Sequence, residues 1–160
     1  MKLFKRLIAA SAITLLGISV AAAQETLKIG HIIVTSGPLK GPGEPSIAAV
    51  DLAVAKINGS GGVNGKMIEI IRFDSASDPK QASLGARKLA KDDGVIAILG
   101  PFSSGEAAVA FNVAEREKIV MMSNASSAPG LTDGKEWAWR LTEDEGKQFA
   151  RLLKTLQQRD

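Results

Sequence analysis

The feature that most constrains the fold is a regular alternation of short apolar runs with longer segments whose apolar residues recur every three or four positions. This alternation is typical of βα units, in which helices cover a parallel sheet. We therefore expect an α/β fold with strands near residues 27–34, 67–73, 95–99, 119–122 and 137–141.

Two of these strands should differ in their burial. The run at 95–99 contains no polar residue, which predicts a central strand buried on both faces. The run at 67–73 is interrupted by Glu69, which places that strand nearer an edge of the sheet.

The intervening segments have the spacing of helices. Pro45 lies near the start of the first one, where its missing N–H costs little. Asp78 and Pro79 are expected to cap and open the second, and further helices are predicted at 104–115 and 144–157. We interpret the charged outward face of the second helix as a solvated face, formed by Lys80, Arg87, Lys88 and Lys91.

Residues 1–23 have the layout of a secretory signal peptide. Basic residues precede an apolar run at 7–20, and three alanines ending at Ala23 supply a cleavage site. A transmembrane anchor is the alternative, but the apolar stretch is shorter than the roughly 20 residues that a membrane span needs. No cysteine follows it to carry a lipid. We therefore expect cleavage after Ala23 and a freely soluble product outside the cytoplasm.

The basic excess of the chain lies in this leader. The sequence contains 20 Lys and Arg against 17 Asp and Glu, and residues 1–23 hold three of the basic residues and none of the acidic ones. Their removal leaves equal numbers of the two charges. Nucleic acid is therefore not an expected partner, since binding it requires a clustered excess of Lys and Arg.

The composition argues against catalysis. The chain has no Cys and one His, which excludes a cysteine nucleophile and a thiolate metal site and leaves little for imidazole chemistry. No G-x-G-x-x-G loop is present to bind a dinucleotide. We expect no cofactor, no metal site and no enzymatic activity.

Candidate ligand-binding residues lie where the predicted strands end, because open parallel sheets bind ligands outside the carboxyl ends of their strands. The loops at 35–44, 100–105 and 123–130 offer hydroxyls and backbone N–H groups but no His or Cys. Ser103 and Ser104 open a helix, so they either receive a ligand carboxylate there or simply cap the helix. Phe102 beside them is a candidate for the wall of a cleft.

The residues at these positions resemble a known family. From Leu27 onward the chain is similar to the first lobe of the leucine/isoleucine/valine-binding proteins, which are periplasmic receptors of ABC importers. The resemblance rests on segments in register, namely Ser36-Gly37-Pro38, Gly61-Gly62-Val63-Asn64-Gly65, Asp78-Pro79-Lys80-Gln81, Gly100 with Ser103-Ser104, and Asn124-Ala125-Ser126-Ser127-Ala128-Pro129.

The resemblance implies a periplasmic binding fold of two Rossmann-like lobes, each a parallel sheet flanked by helices, which close on a ligand by hinge motion. It implies that Ser103, the carbonyl of Ala125, and the hydroxyl and amide of Ser127 hold the carboxylate and ammonium groups of an amino acid. Ser104, Ser126 and Phe102 complete the predicted site.

The sequence departs from the family at two places. The aromatic residue that many members carry in the first loop falls at Pro42, which alters the side-chain pocket. A disulfide found in some members would join the positions of Ser77 and Phe102 and is absent here.

After the predicted signal peptide at 1–23, the resemblance implies a ligand-binding lobe at 24–142 and the start of a second lobe at 143–160. The rest of that lobe is missing from the sequence, so the chain is interpreted as truncated. The predicted function is that of a monomeric solute-binding component of an ABC importer for branched-chain amino acids or a related small polar ligand, with an inner-membrane permease as its partner. The alternatives are a sensory or regulatory receptor on the same fold, and a secreted amidase or esterase that would still need a positioned base.

Overall fold

The computed structural model describes residues 26–158, so the predicted signal peptide lies outside the described part of the chain. The elements are β1 (Thr26–Ile33), α1 (Lys40–Gly59), β2 (Met67–Asp74), α2 (Pro79–Lys91), β3 (Ala97–Leu99), α3 (Ser104–Glu117), β4 (Val120–Ser123), β5 (Ala138–Arg140) and α4 (Glu145–Gln157).

The strands form one parallel sheet in the order β2-β1-β3-β4-β5. This confirms the predicted α/β fold, and β2 lies at an edge as the sequence indicated. The chain runs outward from β1 to β2 and then crosses back to β3. The carboxyl ends of β1 and β3 are therefore a topological switch point, where doubly wound sheets bind ligands.

The helices cover the two faces of the sheet unequally. On one face, α1 packs against β1 and β2. On the other face, α2 and α3 pack against each other and against the sheet. The core lies between this helix pair and the strands, and its largest buried side chains include Phe111, Leu89, Ile98 and Met121. Burial of each such side chain stabilises the fold by about 1.5–3 kcal/mol.

The third strand is central in the sheet, as predicted, but the prediction that it is buried on both faces is wrong. Only Ala97–Leu99 form β3, and Ile96, just before it, is 58% exposed. Ile98 is buried beneath the α2 and α3 layer, whereas Ala97 and Leu99 on the other face are only partly buried. The physical reason is that α1, the helix on that face within residues 26–158, packs on β1 and β2 and does not reach β3.

The first helix begins earlier than predicted. It starts at Lys40, so the loop after β1 ends at Leu39 and Pro42 lies in the first turn of α1. N–H groups in a first turn have no acceptor within the helix, which lets Pro42 fit there. Pro45 lies inside the helix and not at its start. The glycine at position 43 lets the helix approach β1, because a Cβ there would lie 2.9 Å from Cβ of Val34.

The last helix makes few contacts with the rest of the described structure. Among residues 26–158, α4 packs closely against no other helix or strand. Its apolar side chains are exposed, namely Phe149, Leu152, Leu153 and Leu156. None of the helices in this range is long and apolar enough to cross a membrane.

Candidate ligand-binding site

Three loops meet at the carboxyl edge of the sheet because β1, β3 and β4 are parallel neighbours. They are the segment after Ile33, the segment from Gly100 to Ser103, and the long segment that follows Ser123. Each of the predicted site residues except Pro42 lies in or directly beside the second and third of these loops.

Ser103 is the N-cap of α3. Its hydroxyl donates to Oε2 of Glu106 at 2.6 Å and accepts the backbone N–H of Glu106 at 3.3 Å, while the Ser103 N–H donates to the same carboxylate. This reciprocal arrangement is a capping box. The capping alternative is therefore confirmed for Ser103, and its hydroxyl proton is already donated within the protein.

Glu106 is a fully buried carboxylate beneath this loop. Besides Ser103, it receives the hydroxyl of Ser75, which follows β2. A buried carboxyl group needs such hydrogen-bond partners, because burying a polar group without them destabilises the fold. Glu106 thus fixes the start of α3 against the end of β2.

Ser104 makes a different set of contacts. Its Oγ accepts the backbone N–H groups of Ser127 and Ala128, each at 3.2 Å. The two amides therefore converge on one oxygen at the edge of the sheet. The hydroxyl proton of Ser104 is not part of either bond and remains available for an acceptor.

Ser126 and Phe102 join the same two loops. Ser126 is buried, and its hydroxyl lies 2.5 Å from Oγ of Ser123 and 3.4 Å from the carbonyl oxygen of Phe102. The ligand contact of Ser126 stays a prediction, and the hydroxyl that would make it is engaged inside the loop. Phe102 is half-buried, as is Ala125.

The long loop is tied to the segment that follows β5. Arg140 donates to the carbonyl of Ala128 at 2.7 Å and to the carboxylate of Asp144 at 2.8 Å. The hydroxyl of Ser127 donates to the Glu145 carboxylate at 2.5 Å, and the backbone carbonyl oxygen of Ser127 accepts the Glu145 N–H at 3.0 Å. The hydrogen bond from Arg140, ahead of the opposing effect of desolvation, keeps the pKa of Asp144 below its usual value.

The first loop is held by Asp74. Its carboxylate accepts the N–H and hydroxyl of Thr35, the hydroxyl of Ser36 and the N–H of Ala76. Desolvation favours the neutral acid, but these hydrogen bonds together outweigh it and lower the pKa of Asp74 to about 2. The ionised carboxylate therefore stabilises the loop at neutral pH.

This arrangement predicts acid sensitivity. The unfolded chain has an ordinary Asp pKa of 3.8, so it binds this proton before the folded protein does. The free energy of unfolding should therefore fall as the pH drops from about 4 to about 2. Urea titrations at several pH values should show a smaller decrease for Asp74→Asn than for the wild type. Asp133→Asn, a change at an exposed carboxylate, should behave as the wild type, and an unchanged slope in Asp74→Asn would contradict the assignment.

Sequence reasoning located the loops but missed several residues that hold them. Arg140, Glu145 and Asp74 contact the loops through side chains far away in the sequence. The one sequence signal available for Arg140 was Asp144 four residues later, a spacing at which opposite charges commonly pair.

The chain has recognisable relatives. Residues 26–160 match the periplasmic binding protein family. The chain is 33% identical over 142 residues to the Leu/Ile/Val-binding protein of Escherichia coli, and 36% identical over 150 residues to the Leu/Ile/Val-binding protein homolog 7 of Brucella suis. These matches cover 86% and 93% of this chain but only 38% and 37% of the two relatives.

Solved structures agree with this relationship. A branched-chain amino acid transporter substrate-binding protein from Streptococcus pneumoniae, in complex with isoleucine, superposes with a TM-score of 0.74 at 31% identity. A solute-binding protein from Rhodopseudomonas palustris, in complex with 3,4-dihydroxybenzoic acid, gives 0.68 at 26% identity. The matches cover 76% and 74% of this chain, and 35% and 32% of those chains.

The parallel sheet, the position of the loops at its switch point and the match over residues 26–160 lead to one conclusion. The chain belongs to the periplasmic binding protein family.

Proposed function

We propose that this chain supplies the first lobe of a periplasmic solute receptor for an ABC importer, and that its ligand is a branched-chain amino acid or a related small carboxylate. The observation that carries the proposal is the convergence of the Ser127 and Ala128 amides on the hydroxyl of Ser104 at the switch point. Relatives that bind isoleucine and a hydroxybenzoic acid support the ligand class, since both ligands carry a carboxylate.

The ligand carboxylate would bind at these amides. A carboxylate is a stronger acceptor than a hydroxyl, so it competes well for the two N–H groups that Ser104 now occupies. Ser104 can then donate its own proton to the same carboxylate. The site would thus offer one hydroxyl and two backbone donors to one anionic group.

The remaining predicted residues would surround that group. The hydroxyl of Ser127 donates to Glu145, so its lone pairs are left to accept from a ligand ammonium group, together with the carbonyl of Ala125. Ser103 keeps a single acceptor position beside its bonds to Glu106. We assign Phe102 and Pro42 to the wall of the pocket and Ser126 to its floor.

The division into lobes is also a proposal. Residues 24–142 would form the first lobe, and residues 143–160 the start of a second. The exposed apolar side chains of α4 support this division, because such a stripe normally packs against other parts of a fold. The sheet face opposite α2 and α3 supports it as well, since Trp139 on β5 is 54% exposed there.

The other functions agree less well with the site. A secreted amidase or esterase needs a base beside its serine. His31, the one histidine, is buried in β1, and burial, followed by the charge of Arg72, lowers its pKa to about 4. No imidazole hydrogen-bonds to Ser103 or Ser104 among residues 26–158. The homologues are binding proteins.

A sensory receptor on the same fold would bind ligand equally well, so transport must be measured directly. We expect that deleting the gene reduces uptake of the bound amino acid into intact cells, and that the wild-type gene on a plasmid restores it. Export through a cleaved signal peptide would place the protein in the periplasmic fraction. Normal uptake in the deletion strain, with loss of a transcriptional response to the same amino acid, would favour the sensory function instead.

A further inference from the structure

A groove between α2 and α3 lies outside the ligand-binding site. It has a volume of about 350 Å³ and is lined by Pro79, Lys80, Ser83, Leu84, Arg87 and Val109. Leu84 and Val109 are 51% and 36% exposed, so this α2/α3 groove has an apolar part that is open to solvent. Surface apolar groups gathered in a concave site are typical of contact surfaces.

The cations of α2 fall into two groups. Lys88 pairs with Asp93 at 2.7 Å, and Lys91 pairs with Glu117 at 3.3 Å, both beyond the groove. Within residues 26–158, no carboxylate lies in salt-bridge range of Lys80 or Arg87. The nearby carboxylate of Asp78 is occupied by the backbone N–H groups at the start of α2. The groove therefore combines an apolar centre with two free cations.

The cations and the apolar centre lie on one side of α2. Lys80, Leu84 and Arg87 are spaced at i, i+4 and i+7, which brings them to the same helix face. A complementary surface would present acidic side chains about two helical turns apart with an apolar side chain between them. The sequence-based interpretation of this face as merely solvated does not explain why its charges are paired at one end and unpaired at the other.

The groove also lies close to the ligand-binding edge. It begins at Pro79, and a Cβ on Gly105, in the first turn of α3, would lie 4.0 Å from Cγ of Pro79. Ser104 precedes Gly105 directly. A partner seated in the groove would therefore touch the same helix starts that present the ligand-binding hydroxyls.

We propose that the α2/α3 groove is where this protein docks on its membrane permease, and that it receives a permease segment carrying acidic side chains on either side of an apolar one. This inference rests on the proposed import function, which supplies the permease as partner. Opposite charges at such a rim speed association and select the partner, and the apolar centre adds affinity.

The test measures binding of the full-length protein to a branched-chain amino acid ABC permease complex from the same organism, reconstituted in nanodiscs, in the presence of 1 mM L-leucine (on the order of a saturating concentration for a typical binding site). We expect Lys80→Glu/Arg87→Glu to raise the Kd for the permease by about tenfold or more. Leu84→Ser should weaken binding without any change of charge. The affinity for L-leucine, measured by calorimetry, should be unchanged in both variants because neither touches the loops that bind it.

The matched control is Lys56→Glu/Lys154→Glu, which makes the same change of charge at exposed lysines of α1 and α4. It should bind the permease as the wild type does. We call Lys80→Glu/Arg87→Glu the groove variant. If the control and the groove variant weaken permease binding equally, the proposal is overturned, because the effect would then come from net charge in general. Wild-type affinity in the groove variant would overturn it as well.

Two further outcomes separate the possible partners. If the wild type binds empty nanodiscs of anionic lipid and the groove variant does not, the groove binds the membrane surface. If the wild type sediments as a dimer and the groove variant as a monomer, the groove binds a second copy of the chain. Either result would overturn the proposal. If the wild type binds neither L-leucine nor the permease, the proposed import function is wrong. If the wild type and the groove variant bind the permease equally well, only the proposed docking site is wrong.

Discussion

Gly100→Ala should reduce the free energy of unfolding by about 2–5 kcal/mol, from the left-handed backbone and the overpacking together. Gly100 has φ of +88°, and an added Cβ would lie 2.4 Å from the carbonyl oxygen of Ile32. That oxygen is backbone in the neighbouring strand β1, so it cannot move aside as a flexible side chain can. Urea unfolding of the full-length protein, with the midpoint and the slope both fitted, measures the loss.

Gly134→Ala is the matched control for this change. Gly134 also has a positive φ, of +67°, but no atom lies within 4 Å of the position of its Cβ. We expect it to cost only the backbone strain, about 1–2 kcal/mol. The difference between the two variants therefore measures the close approach of Gly100 to β1. Equal losses in the two variants would contradict the packing described for the second loop.

Ser104→Ala should produce the largest loss of ligand affinity among single hydroxyl deletions in the site. The change removes the only side-chain donor that we place at the ligand carboxylate. A hydrogen bond to a charged group contributes about 1.5–3 kcal/mol, which corresponds to roughly a 10- to 150-fold increase in Kd. Ser127→Ala should weaken binding within the same range, because its hydroxyl is assigned to the ligand ammonium group. Calorimetric titration of the two variants measures both effects.

Ser103→Ala provides the comparison, since it removes a hydroxyl one residue away. The hydroxyl of Ser103 donates its proton to Glu106, so we expect Ser103→Ala to reduce ligand affinity less than Ser104→Ala does. We expect instead a loss of about 0.5–2 kcal/mol in stability, the usual cost of deleting an N-cap. A larger affinity loss for Ser103→Ala than for Ser104→Ala would contradict the geometric assignment and favour the assignment made from the family resemblance alone.

The architecture could be predicted because the spacing of apolar residues indicates which face of a helix or strand is buried. Alternating apolar runs indicated the strands, and the helix cap at Asp78 and Pro79 was found from two residues. The placement of the candidate site at this edge followed from the rule that the carboxyl ends of parallel strands lie at one edge of the sheet. The partial exposure of Ala97 and Leu99 was not predicted, because an apolar run does not reveal how far a covering helix extends over the sheet.

The details of the site were harder to predict because they depend on contacts between distant residues. Ser103 and Ser104 are neighbours in the sequence, yet one hydroxyl faces a buried carboxylate and the other faces the loop after β4. This difference depends on the side-chain directions at the start of α3, which are invisible in the order of residues. The roles of Arg140 and Asp74 were missed for the same reason, since each holds a loop that follows a different strand.

The central claim is that the edge formed by Ser104, Ser127 and Ala128 binds the carboxylate of a small amino acid. Isothermal titration of the full-length protein with L-leucine, L-isoleucine and L-valine tests it most directly. We predict one-to-one binding of at least one of them with a Kd in the micromolar range or below, about −8 kcal/mol or stronger. We also predict that the amine without its carboxylate does not bind, and that the Ser104→Ala/Ser127→Ala variant loses most of the affinity. Tight binding that persists in this double variant, or no binding of any of the three amino acids by the wild type, would contradict the account.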